Sequence, residues 1–219
     1  MYVLLFGATG MVGQGVLREC LRDSSVQRVV TVGRRRTGQT HAKLHEYAQD
    51  DIGDLTPLAA ELPAIDASLF CLGVSAVGMS EEQYSRVTYD LTMRVAEQLV
   101  RANPGMTFIY VSGASTDSTE QGRAMWARVK GRTENALLRA GFKAAYMFRP
   151  GAIIPQHGIR SSTGWYNAAY VVIKPLFPLL RRISPTMVTT SDQFSRAMIS
   201  IARDGYPSPI VEMRDIIKF

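Results

Sequence analysis

The chain has 219 residues, 46% hydrophobic and 20% charged, enough apolar material for one full core without disulfides or a structural metal. That balance excludes a disordered chain and a disulfide-scaffolded miniprotein. The net charge of +6 suits an anionic ligand, but apart from Arg34-Arg35-Arg36 and Arg181-Arg182 the basic residues are scattered, which argues against a nucleic-acid surface.

Apolar runs alternate with helical patterns from the start. Tyr2–Phe6 predicts a short buried strand. Met11–Leu21 follows as a helix, with Val12, Val16, Leu17, Cys20 and Leu21 at helical spacing. Val26–Val32 is the second strand, and a weak third is expected near His45–Ala48. Leu55–Leu62 reads as a short helix and Ala67–Leu72 as the fourth strand, closed by Gly73. Glu81–Ala102 reads as a long amphipathic helix, opened by Ser80 and stopped by Asn103-Pro104-Gly105. Thr107–Val111, Trp126–Ala140 and Ala144–Phe148 continue as strand, helix, strand.

This rhythm predicts an α/β fold with a doubly wound parallel sheet of Rossmann type, its ligand crevice at the carboxyl ends of the strands. Residues 1–151 form the dinucleotide-binding domain in this reading. Residues 152–219 form a small substrate-side lobe packed on it, with a final helix over 191–204 and a late strand at Pro209–Val211. The segment 165–183 is rich in large apolar residues. Pro175 and Pro178 interrupt it, so it is expected as a buried lid or a homodimer face rather than a membrane-surface helix.

Cys20 and Cys71 lie in apolar stretches outside any CxxC and read as reduced core thiols of a cytoplasmic protein. The opening run from Met1 leads straight into glycines, with no basic segment ahead of it, and is expected as a strand rather than a signal peptide. No apolar run reaches bilayer-spanning length, so no integral membrane segment is expected. His41, His45 and His157 have no ligand-like spacing, and no metal site is predicted. No GxSxG elbow supports a hydrolase.

The strongest motif is Gly7-Ala8-Thr9-Gly10-Met11-Val12-Gly13, a GxxGxxG between strand and helix. Its glycines suit a tight turn, close backbone approach to a pyrophosphate, and tight strand–helix packing. The following helix N-terminus offers free N–H groups to phosphate oxygens. About 20 residues on, NAD sites carry an acid for the ribose 2′-hydroxyl. Here Gly33-Arg34-Arg35-Arg36 stands there instead, and guanidinium groups suit a 2′-phosphate. NADP (NADPH) is therefore the expected cofactor, with Arg34 and then Arg35 as its readers.

The stretches FGATGMVGQGVL, VGRR, FCLGVS, YVSGAS, WARVKGRTEN and FRPGAIIP together resemble the atypical short-chain dehydrogenase/reductases, most of all the Tat-interacting-protein oxidoreductase-like group. They span residues 6 to 155, and the 156–219 tail is only loosely similar. The resemblance implies that Gly7, Thr9, Gly10, Met11 and Val12 line the pyrophosphate and that Asp51 and Ile52 flank adenine. Cys71, Leu72 and Gly73 would run along the adenine ribose. Ser112 would match the family's catalytic serine, Lys130 the lysine of YxxxK, and Arg149-Pro150-Gly151 would pack near the nicotinamide.

The motif's tyrosine, however, is replaced by Trp126. A phenol beside a lysine shuttles a proton; an indole N–H donates a hydrogen bond but does not titrate usefully. Tyr166 and Tyr170 are candidate substitutes. Three functions stay open: an NADPH-dependent reductase of a flavin or quinone-like acceptor, a non-catalytic NADP-binding redox sensor with a protein partner, and an epimerase or dehydratase on a nucleotide sugar.

Overall fold

The computed structural model describes residues 1–159 and 187–219. Nine strands occur among these residues: β1 (Tyr2–Phe6), β2 (Arg28–Gly33), β3 (Leu44–Ala48), β4 (Ala67–Phe70), β5 (Thr107–Val111), β6 (Ala144–Arg149), β7 (Ala152–Ile154), β8 (Val188–Thr190) and β9 (Ile210–Glu212). Seven of them form one sheet in the order β3-β2-β1-β4-β5-β6-β9. Every neighbouring pair in it is parallel.

A parallel sheet covered on both faces needs apolar side chains in both directions, which is why its strands read as near-continuous hydrophobic runs. Val3, Leu5, Val29, Leu69, Ile109 and Phe148 point to one face. Leu4, Phe6, Val30, Phe70, Phe108 and Tyr110 point to the other. Helices α1 (Met11–Arg22) and α5 (Ser191–Asp204) cover the first face with Val16, Leu17, Phe194 and Met198. The second face takes Val95 and Leu99 of α3 (Leu91–Ala102) and Leu137 of α4 (Met125–Leu138). The doubly wound Rossmann-type architecture expected from the strand–helix rhythm is thus present. The strand order reverses at β1, flanked by β2 and β4, and a ligand crevice belongs at the carboxyl ends of such strands.

Several elements differ from expectation. The stretch read as a helix over Leu55–Leu62 is two short 3-10 turns, Thr56–Leu58 and Leu62–Ala64. Pro57 and Pro63 each stand in the first positions of their turn, where the missing N–H breaks any longer ladder. Glu81–Ala102 is helical throughout but not uniform. It opens as α2 (Glu81–Ser85) with a Ser80–Gln83 capping box, widens to a π turn over Arg86–Asp90, and resumes as α3.

The described residues after 151 join the main body. Strand β7 pairs in parallel with β8, β9 pairs with β6 as the sheet's last strand, and α5 packs into the core beside α1. A short helix α6 (Met213–Ile216) is the last element among the described residues. The segment 165–183, with Tyr166 and Tyr170, lies outside the described residues. Among those that are described, no helix is long and apolar enough to cross a membrane.

Candidate functional site

The turn after β1 folds by glycine chemistry. Gly7 has φ +80, and a Cβ there would stand 2.8 Å from the carbonyl carbon and oxygen of Cys71. At Gly13 a Cβ would stand 2.0 Å from the Gly7 carbonyl oxygen, so only glycine lets α1 pack this close to the turn. Gly10 caps α1 with no side-chain hydrogen bond, and the first turn carries no acid. The turn is pinned by the Gly10 N–H to the Gly7 carbonyl at 2.9 Å. The amide of Gln14 donates to the Thr9 carbonyl at 3.0 Å. The Gln14 N–H donates to the Gly10 carbonyl at 2.8 Å, and the N–H groups of Met11, Val12 and Gly13 ahead of it have no acceptor within the helix and are biased positive.

Beside this turn lies a cavity of about 380 Å³. Gly7, Ala8, Thr9 and Gly10 form one wall, Thr31, Val32, Gly33, Arg34 and Arg35 a second. Cys71, Leu72, Gly73 and Val74 close it at the end of β4, with Ile52, Val87 and Leu91 completing it. It sits where the strand order reverses. Among the described residues, no Asp or Glu lines it. Arg34 and Arg35 are exposed, and among the described residues neither is in an ion pair.

The expected residues divide here. Gly7, Thr9, Gly10, Arg34, Arg35, Ile52, Cys71, Leu72 and Gly73 meet at this one cavity. Met11 and Val12 instead pack their side chains on the core, leaving only their backbone N–H groups for a phosphate. Asp51 does not line the cavity. Its carboxylate binds the Arg94 guanidinium and accepts the Gly53 N–H at 3.0 Å. Reading the sequence alone missed Val74, Val87 and Leu91. Val74 and Val87 are large apolar side chains left exposed, a signal visible only once the fold is known.

The remaining expected residues lie beyond β5 and do not line the cavity. Ser112 follows β5 directly and is nearly buried, and its hydroxyl donates to the Phe148 carbonyl at 3.1 Å rather than standing free. The Lys130 ammonium, reaching from α4, donates to the Ser112 carbonyl. Burial pushes Lys130 down to about 8, against the opposing pull of Glu134. Trp126, one turn earlier on α4, is half-buried.

Arg149 is spent on structure. Its guanidinium grips the fully buried Glu134, reaches Glu212 at 3.3 Å and donates to the Ser118 hydroxyl at 2.5 Å. The Pro150 carbonyl accepts the Ala114 N–H at 2.7 Å. Gly151 is packed so tightly that a Cβ would meet the Met187 carbonyl oxygen at 2.6 Å. Burial pushes the thiols of both Cys20 and Cys71 upward, so neither is a reactive thiolate. His157 pairs with Asp192 at 2.7 Å, and among the described residues no three His, Cys, Asp or Glu side chains gather as a metal site.

Comparison with known proteins gives concordant findings. The model of the NAD dependent epimerase/dehydratase family matches residues 3–123. A curated relative, protein fmp52, mitochondrial, of Aspergillus niger, is 32% identical over 162 residues, covering 69% of this chain and 66% of its own length. Among solved structures, the Bordetella bronchiseptica enzyme WbmF in complex with NAD+ superposes with a TM-score of 0.68 at 13% identity, over 99% of this chain and 76% of its own. L-sorbose reductase from Gluconobacter frateurii, complexed with NADPH and L-sorbose, gives 0.65 at 11% identity, over 100% of this chain and 97% of its own. At such identities the two structures speak for the fold. The cytoplasmic expectation is overturned, because the curated relatives are mitochondrial proteins by name. Reduced cysteines, which suggested the cytoplasm, do not distinguish it from another reducing compartment. The glycine turn, the crevice at the strand-order reversal and the family match together make this chain a member of the NAD-dependent epimerase/dehydratase family of NAD(P)-binding Rossmann proteins.

Proposed function

We propose that the protein is an NADP(H)-dependent reductase whose acceptor is a flavin or quinone-like ring. The observation that carries the cofactor choice is the cavity wall after β2. It presents Arg34 and Arg35 where an NAD site presents an acid, and among the described residues no carboxylate lines the cavity to oppose a 2′-phosphate. The cradle fits a dinucleotide. The close approaches at Gly7 and Gly13 leave backbone where side chains would otherwise obstruct, and the acid-free N-terminus of α1 would attract an anion.

When bound, a reduced dinucleotide would supply hydride. The chain's own residues bind and orient. Arg34 and Arg35 would hold the 2′-phosphate, and the N–H groups opening α1 the pyrophosphate. Ile52, Val87 and Leu91 would cover the adenine. Lys130, anchored to the Ser112 carbonyl, would hold the nicotinamide ribose. Trp126 in place of the motif's tyrosine, with the Ser112 hydroxyl held by Phe148, favours an acceptor that takes its proton from water. The same two features favour a second reading, a non-catalytic NADP-binding redox sensor.

Arg34→Ala should weaken NADPH binding about tenfold or more and leave NADH binding unchanged, as loss of charge-assisted phosphate contacts predicts. Isothermal titration checks this, and equal losses for both nucleotides would contradict it. NADPH oxidation with a panel of flavins and quinones separates reductase from sensor.

A further inference from the structure

Trp126 and Lys130 lie four residues apart on α4, so their side chains rise from one stripe of the helix. Lys130 shows where that stripe faces, since its ammonium meets the carbonyl of Ser112 at the carboxyl end of β5. Strand β5 is next to β4, whose end lines the cavity. The half-buried indole therefore stands beside a cation at the same end of the sheet as the dinucleotide cavity.

Among the described residues, Tyr47 donates to Glu61 at 2.5 Å and Tyr206 to Asp215 at 2.9 Å. The Tyr146 hydroxyl accepts the Tyr206 N–H at 3.0 Å. Tyr84 and Tyr110 share hydrogen bonds with Thr88 and Thr133, and the Tyr89 ring lies 4.0 Å from the Arg132 guanidinium. Tyr2 opens β1, at the opposite end of the sheet. No described phenol stands where the motif's tyrosine would. The site instead offers a broad aromatic face next to a positive charge, which suits a planar ring whose reduced form is an anion.

We propose that Trp126 is the stacking surface for the hydride acceptor, and that the acceptor is a quinonoid ring rather than an isolated aliphatic carbonyl. This rests on the reductase reading above. The quinone would accept hydride from the reduced dinucleotide, giving a hydroquinone anion beside Lys130 and the oxidised dinucleotide. The anion would then take one proton from water to give the hydroquinone.

The test uses the full chain, with menadione as the aromatic probe and cyclohexanone as the aliphatic one. Binding is read first without nucleotide, as saturable quenching of tryptophan fluorescence by menadione. Turnover with NADPH then gives KM for each probe, and calorimetry gives the NADPH affinity. Trp126→Ala should raise the menadione KM about tenfold, as loss of a stacking face does elsewhere, with NADPH affinity retained. Trp126→Phe should recover most of the loss in KM.

An unchanged KM and unchanged quench in Trp126→Ala would overturn the proposal. So would wild-type protein that reduces cyclohexanone in preference to menadione, and so would NADPH binding with neither quench nor turnover. In that last case the cofactor reading survives, whereas absence of NADPH binding removes the reading itself. If Trp126→Ala fails to fold, the wild-type quench and the Trp126→Phe kinetics decide.

Discussion

Lys130 holds its ammonium on a backbone carbonyl at the end of β5, in surroundings that favour the neutral amine. Its value falls from 10.5 in the free side chain to about 8 in the folded chain. Between those two values the unfolded chain binds more protons than the folded one, so through this group stability rises with pH. Below the lower value the penalty for burying the charge is fully present; above the higher value it is gone. Lys130→Met should therefore look most favourable relative to wild type near neutral pH and lose that advantage between about pH 8 and 10.5. Denaturant melts of both proteins across that window check the sign, and a flat difference would refute it. Single residues also mark the limit of what the sequence discloses. The glycines and the arginine run are legible because backbone sterics and charge act locally. The Ser112 hydroxyl, Arg149 and Asp51 are not, because their partners Phe148, Glu134 and Arg94 come from other elements.

At the scale of elements, the Arg149 guanidinium ties together β6, α4 and β9. Glu134 is fully buried, one turn beyond Lys130, and Arg149 is its counter-charge. Removing one member of a buried pair leaves the other charge uncompensated, typically at a cost of about 3–5 kcal/mol. Glu134→Gln keeps the shape and some hydrogen bonding, so a loss of about 3 kcal/mol in the denaturant-unfolding free energy is expected. A loss within the ~0.5 kcal/mol typical of surface changes would show that the pair is not structural. The helices and strands flanking this clasp were legible from periodicity. The exceptions have local physical causes. Pro57 and Pro63 turn an apolar stretch into two 3-10 turns, and the π turn over Arg86–Asp90 leaves no mark in a pattern whose apolar spacing still fits a helix. The turn lies where the helix meets the crevice through Val87 and Leu91, a setting in which π-bulges are often found.

For the whole molecule, the decisive feature is the reversal of strand order at β1, which opens the crevice and gathers the glycine turn, the arginines and the end of β4 around it. That convergence was foreseeable, because short right-handed crossovers leave few ways to wind such a chain. The final helix over 191–204 and the late strand near Pro209–Val211 were also legible, and they stand as α5 and β9. The pairing of β9 with β6 was not, because it joins residues far apart in sequence, which no local pattern announces. The proposed preference for NADPH rests on the arginines that line this cavity. Titration of the purified protein with NADPH and with NADH measures that choice most directly. NADPH should bind more tightly by about tenfold or more, the worth of one set of charge-assisted phosphate contacts. Equal affinities, or tighter binding of NADH, would contradict the role given to Arg34 and Arg35.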